Sequence, residues 1–323
     1  MPRWRQAKES VVWLGLLMPL VLYGTNSLRR PSQTAIPKQP LFQGIVYSRQ
    51  VIHQPRPQTI HIIDIDLTAP GLTPFVTPGY DGIALHPESQ KKWETVAQRT
   101  SEFVQTHQLQ LAINANFFYP FREVTPWNYR PRSGQLVNLV GLSISNGETV
   151  SAAQSDWPAL CFTQQQAVIH RVGDCQDGTQ QAVAGILMLL ENGQPTEEVQ
   201  TQIANETPKP YPFNIAALDA TGTRLWLIQT DGKQPLHSEG MTLEEVTAFV
   251  QELGVDTAVR LDGGGSTTVA IAPPAPNPAT ETSNLSHTTA PQVLNVPSHA
   301  KVPTQERPVA NHLGFFARQL KQP

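Results

Sequence analysis

Apolar and polar residues along this chain alternate with the period of strands more often than with that of helices. Phe42 to Ser48 reads as a strand. In Thr59 to Leu67, Ile63, Ile65 and Leu67 alternate with Ile62, Asp64 and Asp66, which predicts a half-buried strand with its acids on the wet face. Leu109 to Ile113 is a short apolar strand ending in Asn114-Ala115-Asn116-Phe117-Phe118. Gly141 to Val150 reads as a hairpin turning at Asn146-Gly147. Leu160 to Val172 is a strand region, and Ala182 to Leu190 is a buried strand or short helix. Asn214 to Leu218 and Thr223 to Gln229 form a second hairpin, and Glu306 to Phe316 supplies a final strand.

Helical spacing occurs in two places. Trp93, Val96, Phe103 and Val104 predict a helix from about Glu88 to His107. Val246, Phe249, Val250 and Leu253 form the apolar stripe of a helix that Thr242 caps, with Glu245 completing a capping box and Gly254 ending it. The elements together predict an α+β fold. It is a strand-rich single domain with a mixed or antiparallel sheet and a few packed helices, after an N-terminal hydrophobic segment.

One stretch does not fit a packed core. Strand Val255 to Leu261 runs into Asp262-Gly263-Gly264-Gly265-Ser266-Thr267-Thr268, from which Thr267 to Ile271 returns as a strand. Consecutive glycines are costly in backbone entropy and make sense where the chain turns sharply close to something else. Strand alternation places Arg260 and Asp262 on one face. Asp262 is thus the first candidate for a catalytic carboxylate. The N–H groups of Gly263, Gly264, Gly265 and Ser266, with the Ser266 hydroxyl, suit a phosphate or sugar oxygen.

Composition narrows the setting. Among 323 residues there are 29 Pro and 21 Gly, which favours many turns, and a net charge of −3 gives no footprint for nucleic acid. Arg3, Arg5 and Lys8 precede an apolar run from Val11 to Tyr23. Residues 1–30 therefore read as a signal peptide or a signal anchor, and they are the only part expected to meet a membrane. Residues 31–40 read as a linker, 41–319 as the domain, and 273–291 as a mobile loop. The body is expected outside the cytoplasm, where Cys161 and Cys175 are free to form a bridge; two separate buried thiols are the alternative.

Several motifs occur in one order: Asn114 to Phe118, Asp231-Gly232-Lys233, Gly240-Met241-Thr242-Leu243-Glu244-Glu245, Arg260 to Thr268, Asn295-Val296-Pro297 and Arg307-Pro308-Val309-Ala310-Asn311. In this order the chain resembles the phosphodiester glycosidase family. The resemblance implies hydrolysis of a sugar-1-phosphodiester at the anomeric carbon, here on envelope or exopolysaccharide material. The alternative is a carbohydrate- or phosphate-binding envelope protein without turnover. Such chemistry commonly uses two carboxyl groups, for which Asp262 and then Glu239 are the candidates. Arg307 is a phosphate contact and Asn116 a sugar-hydroxyl contact. His237 and His312 stand outside the main assignment. No cofactor is implied, and no ligand cluster demands a divalent cation, although Asp262 could hold one in part. Two departures stand out. Phe213 occupies the place of a family arginine, and Arg260 that of a family asparagine, so Arg260 is expected to supply the missing cation beside Asp262.

Overall fold

In the computed structural model, which describes residues 18, 20–85, 92–273 and 290–320, the alternating segments pair into antiparallel sheets. The largest has eight strands, in the order Ile36–Phe42, Ile45–Ile52, Gln58–Asp66, Arg224–Thr230, Asn214–Leu218, Thr257–Arg260, Leu187–Glu191 and Gln194–Pro195. A second sheet of five strands runs Gln292–Val293, Val269–Ile271, Leu111–Asn114, His312–Phe316 and Thr73–Val76. A third, also of five, contains the hairpin Ser143–Ser145/Glu148–Ser151 with Asn146 and Gly147 both at positive φ, as a type I′ turn requires. The α+β reading stands.

Alternation along the central strands sends side chains into two cores. Ile63, Ile65, Leu225, Leu227, Val259 and Leu261 face one side and pack with Leu111, Ile113, Val269 and Leu313 of the second sheet and with Leu160, Phe162 and Val183 of the third. Ile60, Ile62, Ile215, Ala217, Ile228 and Ala258 face the other side and are covered by Val199, Val246 and Val250 of the helices Glu197–Asn205 and Leu243–Glu252. Because both faces are covered, Gln58–Ile65 is buried throughout, where half-burial was expected. Asp64 remains tolerable because Arg224 grips it with Nε and Nη2 at 2.7 and 2.5 Å.

Thr242 accepts from Glu245 N at 3.2 Å and Glu245 Oε2 accepts from Thr242 N at 2.8 Å, so the predicted capping box is present. Thr242→Ala should cost about 1 kcal/mol, read as a lowered midpoint in urea unfolding with an unchanged slope.

Three expectations are corrected. The helix drawn over 88–107 is confined to Thr100–His107; Thr95 and Val96 are β-branched and pair with Val137 and Leu136 as a short strand. Residues 88–91 of that prediction lie outside the described residues. The stretch 31–40 is not all linker, since Ile36–Phe42 forms the outer strand of the large sheet. An edge strand accommodates Pro37 and Pro40, because the missing N–H groups break no interior ladder. The third correction concerns the glycine turn. It does not join neighbouring strands of one sheet: Thr257–Arg260 belongs to the large sheet and Val269–Ile271 to the second.

Cys161 and Cys175 form a disulfide. The loop predicted at 273–291 falls almost wholly outside the described residues, as does most of the N-terminal apolar run. Among the described residues no helix is long and apolar enough to cross a membrane.

Candidate active site

The crossing between sheets is made at Leu261 and Asp262. Leu261 N still donates to Asn214 O in the large sheet at 2.8 Å, whereas Asp262 N already donates to Ala115 O beside the second sheet at 2.9 Å. Two buried asparagines fix the Asp262 carbonyl: Asn114 Nδ2 at 2.7 Å and Asn214 Nδ2 at 3.3 Å. Asn114 Oδ1 also accepts from Thr268 N at 3.0 Å, so one side chain pins both ends of the glycine turn. Asn295 secures the exit, with Nδ2 donating to Thr267 O and Oδ1 accepting from Val269 N, both at 2.9 Å.

The three glycines are needed for close packing. A Cβ on Gly263 would stand 2.7 Å from Pro212 O, one on Gly264 2.3 Å from Tyr211 Oη, and one on Gly265 2.4 Å from Arg307 Nη2. Gly264 also has φ +65°, a region costly for other residues. Their N–H groups are less available than expected. Gly263 donates to the Asp262 carboxylate, Gly264 to Pro212 O at 2.9 Å and Ser266 to Gly263 O at 3.2 Å. The expected cradle of four N–H donors is thereby corrected. What the turn presents is a carboxylate, a hydroxyl and a guanidinium.

These groups form a chain. Ser266 hydrogen-bonds the Asp262 carboxylate and accepts from Arg307 Nη1 at 3.0 Å. Arg307 Nη2 also donates to Glu123 Oε2, and the guanidinium lies 4.6 Å from the centroid of Phe121. Glu123 Oε2 further accepts from Ala300 N and from His299 Nδ1, each at 3.1 Å. Lys233 completes the cluster, with Nζ 4.4 Å from the Tyr211 ring centroid. The predicted Asp231-Gly232-Lys233 turn is held by buried Asp231, which accepts from Val296 N at 2.8 Å and lies 3.2 Å from His61 Nε2.

The two carboxyl groups titrate far apart. Burial raises Asp262 to about 6, against Ser266, the charges of Arg307 and Arg260, and the Gly263 N–H, all of which act downward. Burial would raise Glu123 as well, yet hydrogen bonds from His299, Arg307 and the Ala300 N–H carry it down to about 2. Lys233 is lowered by burial and by the nearby Arg307, and His299 is lowered by burial despite Glu123. Near neutral pH the site therefore holds one fixed negative charge on Glu123 and one acid poised to gain or lose a proton.

The sequence candidates separate accordingly. Asp262, Ser266 and Arg307 converge, together with the three glycines that make room for them. Glu239 is not in that chain: its backbone N–H donates to Pro57 O at 2.9 Å, its carbonyl accepts from Lys233 N at 3.3 Å, and among the described residues its carboxylate forms no ion pair. The acid brought to Arg307 is Glu123, on the hairpin Arg122–Thr125/Asn128–Arg130. Asn116 is also corrected. It is fully buried, gives its Nδ2 to Val140 O at 3.2 Å and Leu142 O at 3.0 Å, and accepts from Ala184 N at 3.1 Å and Asn311 Nδ2 at 3.2 Å. No capacity remains for a sugar hydroxyl. His312 is fully buried and stacked on Phe103. His237 is buried in the Gln234–Ser238 turn. Arg260 forms no ion pair with Asp262. Its guanidinium lies 5.0 Å from the Phe213 ring centroid and 5.8 Å from that of Tyr211.

Residues 107–316, well over half of the chain, match the sequence model of the family described as phosphodiester glycosidase. The chain belongs to the phosphodiester glycosidase family. Among solved structures, this family member resembles the catalytic domain of zebrafish N-acetylglucosamine-1-phosphodiester alpha-N-acetylglucosaminidase, auto-inhibited by its pro-peptide, with a TM-score of 0.56 and 18% identity over 88% of this chain and 87% of that one. It also resembles a hypothetical protein from Synechocystis, with a TM-score of 0.54 and 14% identity over 85% of this chain, which spans 62% of that structure. At such identities the likeness establishes the fold. No curated protein matches the sequence significantly. Of the groups now seen around Asp262, Glu123, His299, Tyr211, Lys233 and Asn214 escaped sequence reasoning as site residues. Glu123 left one usable signal, an acid within the aromatic-rich segment directly after the Asn114–Phe118 motif.

Proposed function

We propose that this phosphodiester glycosidase hydrolyses a sugar-1-phosphodiester at the anomeric carbon, releasing free sugar and a phosphomonoester. The observation that carries this reading is the pair of carboxyl groups joined through Ser266 and Arg307, one titrating at about 6 and the other at about 2. In the reaction, water adds to the anomeric carbon and the bond from that carbon to the phosphate oxygen breaks. Asp262 as carboxylate takes the water proton. The leaving phosphate is weakly basic and needs charge stabilisation more than protonation; Arg307 and Lys233 supply it. Glu123 holds Arg307 in place.

The substrate we propose is envelope or exopolysaccharide material outside the cytoplasm. The Cys161–Cys175 bridge supports an oxidising compartment, and the basic and apolar N-terminus supports export. The competing reading, binding without turnover, draws on Phe213 in place of the family arginine. Reducing-sugar release from a synthetic sugar-1-phosphodiester separates the two: binding with no product at any pH would sustain the binding reading.

A pH profile tests the assignment of roles. With Asp262 as base, kcat/KM should fall as pH drops below about 6. In Glu123→Gln the removed negative charge lowers the pKa of its acidic neighbour, so the acid limb should move to lower pH. Loss of the Arg307 clamp should reduce kcat by about 100-fold. A limb that stays in place would remove Glu123 from electrical contact with the base.

A further inference from the structure

Beside the site, on the helix-covered face of the large sheet, lies a cavity of about 170 Å³. Its walls include the rings of Tyr211 and Phe213, the side chains of Ile203 and Leu243, and Arg260. Arg260 is largely buried, and among the described residues no carboxylate lies within ion-pair reach of it. Its Nε is buried without a hydrogen-bond partner. Burying a cation without a partner is expensive, and the two aromatic faces recover only part of that cost. Glu206 and Glu244 line the same cavity as Lys209 and Arg260, and Glu206 acts on Arg260 only from beyond ion-pair reach, so the place left for an anion is the single one beside Arg260. Tyr211 is the partition: its hydroxyl meets Gly264 on the Asp262 side, while its ring faces Arg260.

We propose that this cavity is an aglycone subsite that binds a flat apolar ring bearing an anionic group, with the ring against Phe213 and Tyr211 and the anion on Arg260. Arg260, whose guanidinium lies 5.0 Å from the Phe213 ring centroid, is the cation this cavity would offer to the leaving group. Binding is independent of turnover; only the subsite's service to hydrolysis rests on the function proposed above.

The test has a binding arm and a catalytic arm. Phenyl phosphate is titrated calorimetrically into the intact protein, into Arg260→Gln and Arg260→Lys, and into Ile203→Trp, which fills the cavity without altering charge. We expect Arg260→Gln and Ile203→Trp each to weaken binding at least tenfold, Arg260→Lys to weaken it less, and inorganic phosphate to respond to Arg260→Gln but not to Ile203→Trp. Circular dichroism confirms that each variant folds. Unchanged phenyl phosphate affinity in both Arg260→Gln and Ile203→Trp would overturn the proposal, placing the ligand at Arg307 instead. In the catalytic arm, benzyl and 4-carboxybenzyl esters of one sugar-1-phosphate are compared. Removing the Arg260 charge acts on Asp262 equally for both esters, so the readout is the ratio between them. Arg260→Gln should raise KM about tenfold more for the carboxylated ester than for the benzyl ester, and an equal change on both esters would overturn the subsite role. If neither ester is cleaved by the unaltered protein, the hydrolytic reading fails while the calorimetric result still decides the cavity.

Discussion

Asp262→Asn is expected to abolish sugar release and, at the same time, to stabilise the folded protein at alkaline pH. The side chain is 7% exposed and titrates at about 6, above its ordinary 3.8. The folded state therefore binds this proton more tightly than the unfolded state. The stabilisation is fully present below the unfolded value and is lost as pH rises through about 6. At pH 8 the ionised, buried carboxylate costs on the order of 3 kcal/mol relative to its neutral form. Asparagine carries no such charge, so the variant should unfold at higher urea concentration than the parent at pH 8, with the difference closing toward pH 4. Turnover should fall by at least about 1000-fold, the scale lost when a catalytic group acts as part of a unit. An active Asp262→Asn would remove this residue from the chemistry. An inactive variant with no pH-dependent stability gain would show that the carboxylate is not the destabilised group its burial implies.

Asn116→Ala should be the most damaging single substitution to stability near the site, without a selective effect on substrate affinity. Four hydrogen bonds meet on this side chain, linking the end of the strand Leu111–Asn114 to Val140, Leu142, Ala184 and Asn311. Removing it takes a partner from two carbonyls and a backbone N–H in a dry interior, while Asn311 Nδ2 keeps Ser143 Oγ at 2.9 Å. Each unsatisfied group costs roughly 1–3 kcal/mol, and partial relaxation brings the expected total to about 3–5 kcal/mol. Urea unfolding measures it directly. A variant of parental stability whose KM rises would restore the sugar-contact role that the sequence suggested.

The contrast between Asn114 and Asn116 shows where sequence reasoning stops. Both stand where an apolar strand ends, a position from which polar residues often meet ligands. Strand periodicity would put these two, with one residue between them, on the same face, and tells neither that the strand stops at Asn114 nor what each amide meets. The tertiary structure puts the glycine turn beside Asn114 and the third sheet beside Asn116, so both amides are consumed by backbone. Glu239 and Glu123 differ in the same way. A capped helix beginning just after Glu239 made it conspicuous, whereas Glu123 owes its role to Arg307 and His299, more than 170 residues further along the chain.

Local interactions carry much of the fold into the sequence. The Thr242 capping box, the Asn146-Gly147 turn and the alternation in the strands are set by contacts within a few residues, and those elements are readable without tertiary structure. The glycine run belongs there too, because its entropic cost demands a close approach that Tyr211, Pro212 and Arg307 then make. The destination of that turn, the partner of Arg307, the consumed amides of Asn116 and the position of Arg260 against Phe213 all depend on contacts across sheets. Periodicity specifies which face a residue lies on; only the packing of one sheet on another specifies what that face meets.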